Sequence, residues 1–413
     1  MKKIVKTAII MLFSTPLFAA DFFSGEAGLM ANFENQEKFK FDPTLCFDGF
    51  LSGQIALSNA LSVRGEFSIR TSDLLEDGIM QEVDSIFRIN ELSATFTKSF
   101  GGFNHTLSAF KGCFESIGSG QFIQRHLGVK PYGSFLTNSF LGLNGIYAYD
   151  LYGTGGSYTI TSKRLPLAMG LVISKTPEDQ SPEDEICPLL NTDLRFAYYN
   201  SVLMIDALAG ITAPLRTTND SGEDVVLLID TLYFHTGIDL HLLSPYSPVS
   251  FLFQAGVEYF PLKKTSKAVT FQNDSVYLLE ETRLNSGTAK CYITVFHIPE
   301  ELGNLKVSKI GKSVFIEEPL GANIRFFGEK LHTKNREYDA GLNVMAGLKG
   351  IHFSNINDLD LNKDLNIKII PFTEIDVNNG RLTAALQVSI TEFANNEDEG
   401  SALKLHLGYK KEL

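Results

Sequence analysis

Many ionisable side chains of this 413-residue chain fall at alternate positions within apolar runs, and that spacing limits the chemistry open to them. Arg64, Glu66 and Arg70 share one parity of a run whose other parity holds Leu61, Val63, Phe67 and Ile69. Asp239 and His241 are set in the same way against Ile238, Leu240 and Leu242, and Glu258, Arg325, Lys404 and His406 take the polar parity of later runs. Successive side chains of an extended strand point to opposite faces, so each polar set lines one side of its strand. Cationic and acidic rows facing each other across a water-filled space would set a transverse field that sorts solutes by charge. Ion pairs that only brace neighbouring strands are the plain alternative. Arg125, His126 and Lys130 lie in a glycine-rich stretch without alternation, and they are the candidates for a constriction of that space.

Other chemistries fit less well. Asp239 and His241, with His235 further along the same face, would need a third metal ligand from another strand, and the sequence names none. No metal site and no cofactor is therefore expected. Gly311-Lys312-Ser313 is similar to the end of a phosphate loop, but Lys306 stands where that motif requires glycine. Gly153-Thr154-Gly155-Gly156 lacks the strand-to-helix context of a nucleotide site. A lipid-facing hydrolase would need a serine and histidine on the apolar side, whereas His235, His241 and His406 take the other parity. No enzyme is expected. Cys46, Cys113, Cys187 and Cys291 are far apart and form no Cys-x-x-Cys, so isolated thiols are expected, with three pairings open if disulfides form.

The elements that must position these groups are strands. In the last hairpin, Leu382, Ala384, Leu386, Val388 and Ile390 alternate with polar residues, and Leu403, Leu405, Leu407 and Tyr409 do so after a polar turn. Further runs cover 47–58 and 61–70, 86–97 and 105–114, Leu141–Leu151, 158–161, 165–174, 192–199, 201–212, 232–242 and 249–259. The later ones are 269–279, 290–298, 320–328, 338–348 and 365–376, with a short helix around Glu300 to Lys306 as an option. Residues 21–45 read as a first strand or a plug segment, and 115–139 as a long loop folded into a lumen. The stretches 71–84, 176–188 and 216–224 are acidic solvent loops.

Many runs approach or exceed the 9–11 residues that a tilted strand needs to cross hydrocarbon, where strands of a soluble sandwich are nearer five or six. Aromatics near run ends, among them Phe47, Phe67, Phe96, Tyr149, Tyr259, Phe326, Tyr338 and Tyr409, suit the interfacial girdles of a membrane barrel, although tryptophan is absent. An unpaired backbone group in lipid costs several kcal/mol, so a spanning sheet must close on itself. The expected fold is all-β, a transmembrane antiparallel up-and-down β-barrel of about 14–18 strands. A soluble β-protein is the rival.

Residues 1–20 have the basic start, short apolar core and small terminal residues of a signal peptide, with cleavage after Ala19 or Ala20, which leaves 21–413 as the barrel. No later stretch offers 18 consecutive apolar residues. The formal charge of −12 argues against a nucleic-acid partner, which selects basic surfaces.

The C-terminal run, with Leu405, Leu407, Tyr409 and Leu413 on one parity, resembles the assembly signal of bacterial outer-membrane β-barrel proteins. It departs from that signal at Leu413, where an aromatic is usual, and at Lys411. The resemblance is to the porin-like class and singles out no family. It implies residence in the outer membrane after signal-dependent export. Its partners would be membrane lipid, periplasmic chaperones, the barrel-assembly machinery and small solutes, with the oligomeric state (a trimer among the options) open. The expected function is a porin-like channel for diffusion of small solutes. A fatty-acid-type transporter with an N-terminal plug and a surface adhesin are the alternatives.

Overall fold

Strand pairing accounts for almost the whole course of the chain. The computed structural model describes residues 23–37, 42–76, 84–137, 145–176, 187–218, 224–229, 231–262, 271, 273–299, 318–333, 336–394 and 399–413. The first strands are β1 (Phe23–Glu37), β2 (Pro43–Ala56), β3 (Leu61–Thr71), β4 (Ser85–Phe100), β5 (Phe103–Cys113), β6 (Tyr152–Ser162), β7 (Leu167–Thr176), β8 (Leu189–Tyr199) and β9 (Leu203–Pro214). A small ribbon follows, β10 (Arg216–Thr218) and β11 (Asp224–Leu228). The rest of the wall is β12 (Tyr233–Leu242), β13 (Val249–Pro261), β14 (Val276–Ser286), β15 (Ala289–His297), β16 (Leu320–Thr333), β17 (Arg336–Leu348), β18 (Leu365–Val377), β19 (Gly380–Ser389) and β20 (Glu399–Glu412).

Leaving the ribbon aside, each strand pairs antiparallel with the next, and β12 bonds to β9. The sheet closes where β20 meets β1, with Leu405 opposite Phe33, Leu407 opposite Ala31 and Tyr409 opposite Leu29. The result is an 18-stranded antiparallel barrel, the upper end of the range expected from the sequence. No sheet edge is left to be satisfied within lipid.

Residue parity sorts the two faces. Ile173, Leu194, Ile211, Phe253, Ile293, Val344 and Leu407 stand exposed on the outer surface. Ser68, Ser93, Thr95, Ser108, Thr159 and Asn343 are buried on the inner one, where hydroxyls pair across strands, as Thr95 and Ser108 do at 3.1 Å. Short turns such as 57–60, 101–102 and 287–288 lie at one rim together with the C-terminus, and the long connections gather at the other. In barrels of this class the short turns face the periplasm.

Of the two readings of 21–45, the first strand is the one found, since residues 23–37 form β1 of the wall. Other expectations are corrected. Of the run Leu141–Leu151, residues 141–144 lie outside the described residues and 145–151 are not a strand: they belong to the inward connection between β5 and β6, because their apolar residues pack inside the barrel rather than against lipid. Tyr149 accordingly sits in the lumen, its ring stacked 4.7 Å from that of His235, and not in a girdle. The strand expected at 269–279 begins later, as β14 at Val276. Residues 1–20, expected to be a signal peptide, and the helix considered at 300–306 lie outside the described residues. All four cysteines are free thiols.

Leu194 stands at mid-strand on the outer face, 67% exposed. A cation at the bilayer midplane of a barrel costs about 2–4 kcal/mol. Leu194→Arg is expected to lower the unfolding free energy in lipid vesicles by that amount and Leu194→Ala by much less, as read by denaturant titration.

Candidate functional site

An 18-stranded barrel is wider than its own inward side chains can fill. The described parts of the connection between β5 and β6, residues 114–137 and 145–151, turn into this space. Its two arms are tied together by a main-chain bridge between Ile117 and Tyr149, in which the Ile117 N–H donates to the Tyr149 carbonyl at 2.9 Å and the Ala148 N–H to the Ile117 carbonyl at 3.1 Å.

The wall is shaped to receive it. Gly237 of β12 and Gly256 of β13 are paired in register on the inner face. A Cβ at Gly256 would collide with the Ala148 carbonyl, and one at Gly237 would stand 2.8 Å from the Tyr149 Cβ. Only glycine allows main chain to lie this close to a strand. Around this seat Phe114, Ile117, Leu136, Ile146, Ala148 and Leu151 pack on inward wall residues Phe110, Val172, Leu208, Leu252, Leu279, Phe296 and Met345. The lumen therefore contains an apolar core at this level, which the polar parity of the strands does not suggest.

A short helix, α1 (Gln121–Leu127), lies along β7 to β9, with Phe122 and Ile123 buried against Ala168, Ala197 and Met204. The Arg195 guanidinium covers the Phe122 ring at 4.7 Å. The chain then crosses toward the far wall. Tyr132 lies edge-on to the His241 ring, 4.4 Å between centroids. Arg283 donates to the Gly133 carbonyl at 2.7 Å, and the Ser134 hydroxyl donates to Glu281 at 2.6 Å. Phe135 ends against Arg325, whose guanidinium stands 3.6 Å from its ring centre and 3.8 Å from that of Phe372.

The residues singled out from the sequence divide into clusters around this segment. Beside β3 and β4, Arg64 pairs with Glu91 at 3.0 Å and Glu66 at 3.4 Å. Arg125 donates to Glu115 at 2.6 Å and stands 3.6 Å from Glu91, and His126 lies 3.5 Å from Glu115. Arg70 pairs with Asp48 at 3.3 Å, and Lys404 with Glu34 at 2.9 Å. His406 bonds to Asn32 at 2.8 Å. Asp239 accepts from Gln254 at 3.1 Å and lies 3.1 Å from His241. Arg325 reaches Glu374 at 3.3 Å. Glu258 is half-buried on β13, and Lys130 is exposed. Opposite charges are interleaved within each cluster rather than separated onto facing walls. That arrangement braces strands, and it sets a patchwork of local fields in place of one transverse field.

The sequence reading missed the partners that complete these clusters: Glu91, Glu115, Asp193, Arg195, Asp206, Glu281, Arg283 and Glu374. Arg195 pairs with Asp206 at 2.9 Å, Asp193 with His235, and Arg283 with Glu281 at 2.7 Å. Most of them lie on the inward parity of strands already recognised, which is the signal that could have found them.

Two carboxyls of the segment respond to this setting in opposite ways. Burial alone would raise the Glu115 carboxyl, but Arg125 and His126 bring it down to about 2. Burial raises the Asp150 carboxyl to about 7 against the pull of the Ser116 hydroxyl.

Of the comparisons with known proteins, the one with solved structures bears on the fold. No protein-family model and no curated protein matches the chain. Among solved structures it is similar to OccAB3 of Acinetobacter baumannii, with 10% identity, a TM-score of 0.50, and 95% of this chain and 100% of that chain covered. It is also similar to Wzi of Escherichia coli, an outer-membrane carbohydrate-binding β-barrel involved in group 1 capsule assembly, with 12% identity, a TM-score of 0.47, and coverage of 99% and 87%. OmpF of Salmonella typhi matches with 10% identity, a TM-score of 0.40, and coverage of 95% and 97%. At such identities the likeness is one of architecture. The protein has the fold of the outer-membrane β-barrels of the porin-like class.

The shift at Asp150 gives a pH dependence. Its folded value of about 7 exceeds the ordinary 3.8, so ionisation opposes folding. That penalty is absent below pH ~4, grows as the pH rises through 7 and is complete above it. Asp150→Asn is expected to raise the thermal midpoint at about pH 8.5 by a few degrees and to change it little at about pH 4, checked by circular-dichroism melts in detergent. Glu115 has the reverse sign: its stabilisation holds above the ordinary 4.5 and is lost only as the pH falls through about 2.

Proposed function

We propose that the protein is an outer-membrane channel of the porin type, which passes small solutes through a bore set by the inward connection at residues 114–137 and 145–151. The observation that carries this reading is the seating of that segment across the lumen, with its far end held by Ser134 on Glu281, Gly133 on Arg283 and Phe135 on Arg325. A long connection whose described residues enter a lumen reads as a functional feature rather than a linker. The apolar filling around the segment favours a narrow bore and a small conductance. Interleaved charge favours selection by size over strong selection by sign. Residues 1–20 would supply the export signal, and Leu405, Leu407, Tyr409 and Leu413 the contacts with the assembly machinery. The fatty-acid reading required an N-terminal plug, and β1 places residues 23–37 in the wall.

The test is electrical. Refolded protein in a planar bilayer should give small discrete conductance steps, and Ser134→Ala combined with Arg283→Ala should enlarge them by releasing the segment from the far wall. Silence from both proteins would overturn the channel. Equal steps from both would remove the segment as its constriction.

A further inference from the structure

At the long-loop rim, on the outside of the wall, three segments bring together groups that the channel does not use. His297 ends β15 with the outward parity of Ile293 and Val295, yet it is 1% exposed. The Phe353 ring covers it, 4.0 Å between centroids. Asp274 comes from the turn that leads into β14, and His352 from the connection between β17 and β18. One ligand atom from each of Asp274, His297 and His352 lies within 4.8 Å of the other two.

Hydrogen bonds fix two of these groups, His297 and Asp274. His297 Nδ1 lies 2.6 Å from the Val276 carbonyl, which can only accept, so Nδ1 carries the proton and Nε2 keeps its lone pair. An imidazole held in this way by a carbonyl is the usual second shell of a metal ligand. The buried Nε2 has no hydrogen-bond partner. Leaving such an acceptor unsatisfied costs about 1–3 kcal/mol. The Asp274 carboxylate is fixed by Ser354, whose N–H donates to Oδ1 at 2.9 Å and whose hydroxyl donates to Oδ2. Each oxygen retains lone-pair capacity for a further bond. The His352 ring stands at 80° to that of His297, with centroids 5.8 Å apart.

We infer that Asp274, His297 and His352 form a binding site for a first-row divalent transition-metal ion, with zinc the best fit. Two imidazoles and one carboxylate are a zinc donor set that leaves the fourth position to water. Donors around zinc at about 2.0–2.1 Å stand about 3.3 Å apart, so metal entry draws the three segments inward by roughly an ångström. The ion would clip the connection after β17 back over the start of β16 onto the rim of β14 and β15. It is a clasp on the outer rim, and it does not depend on whether the lumen conducts.

The probe is Co2+ followed by Zn2+, added to untagged full-length protein that has been refolded in detergent, stripped with EDTA and gel-filtered. The expected result is one equivalent per chain, a tetrahedral Co2+ ligand-field spectrum displaced by Zn2+, and a higher thermal midpoint with zinc. His352→Ala and Asp274→Asn alter half-buried rim residues and should each weaken binding by at least about tenfold, the lower end of what even an outer-shell loss costs. His332→Ala, an exposed change at the opposite rim, should bind as the parent does. Absence of stoichiometric uptake by the parent would overturn the site. Parent-like affinity in both ligand variants, or an equal loss in His332→Ala, would overturn it as well.

Discussion

The rule that no backbone amide or carbonyl can remain unpaired in hydrocarbon governs the rest of this molecule. It compels the sheet to close, and here closure joins Leu29 to Tyr409 and Phe33 to Leu405, near the two ends of the sequence. Closing with 18 strands fixes a circumference, and the circumference fixes an interior too wide for wall side chains to fill. The inward connection is the answer to that geometry. Its apolar residues meet Leu208, Leu252, Phe296 and Met345, so a barrel whose outer surface is greasy also carries a small water-excluding core inside.

Polar groups inside are subject to the opposite pressure. A buried ion is costly unless it is both paired and hydrogen-bonded, and removing one partner costs more than the pair contributes. The lumen meets this by interleaving. Lys368 is set against Glu318 at 2.9 Å, and the same carboxylate accepts from Asn366 at 2.6 Å. Glu281 is shared by Arg283, Ser134 and Thr294. Charges used in this way tie neighbouring strands to one another and the inward connection to the wall.

How much of this was legible follows from what each signal depends on. Wall strands depend on parity alone, and parity is written in the chain: Leu405, Leu407 and Tyr409 point outward as their spacing requires. The inward connection depends on contacts between residues far apart in sequence. Phe114, Ile117 and Leu136 look like any other apolar residues, and Tyr147, Tyr149 and Leu151 imitate a strand. The clues were single exceptions, with Leu208, Leu252 and Met345 apolar on the inward parity and Gly237 and Gly256 unoccupied by side chains. Asp274, His297 and His352 share no spacing at all, because three separate turns of the wall bring them together.

The bridge between Ile117 and Tyr149 sets the two arms of the inward connection side by side before the chain rejoins the wall at Tyr152. The wall is a socket cut to this insert: Gly237 and Gly256 leave room for its main chain, and Glu281, Arg283 and Arg325 grip Ser134, Gly133 and Phe135. Staves and insert are therefore matched, and a change to either would have to be answered in the other.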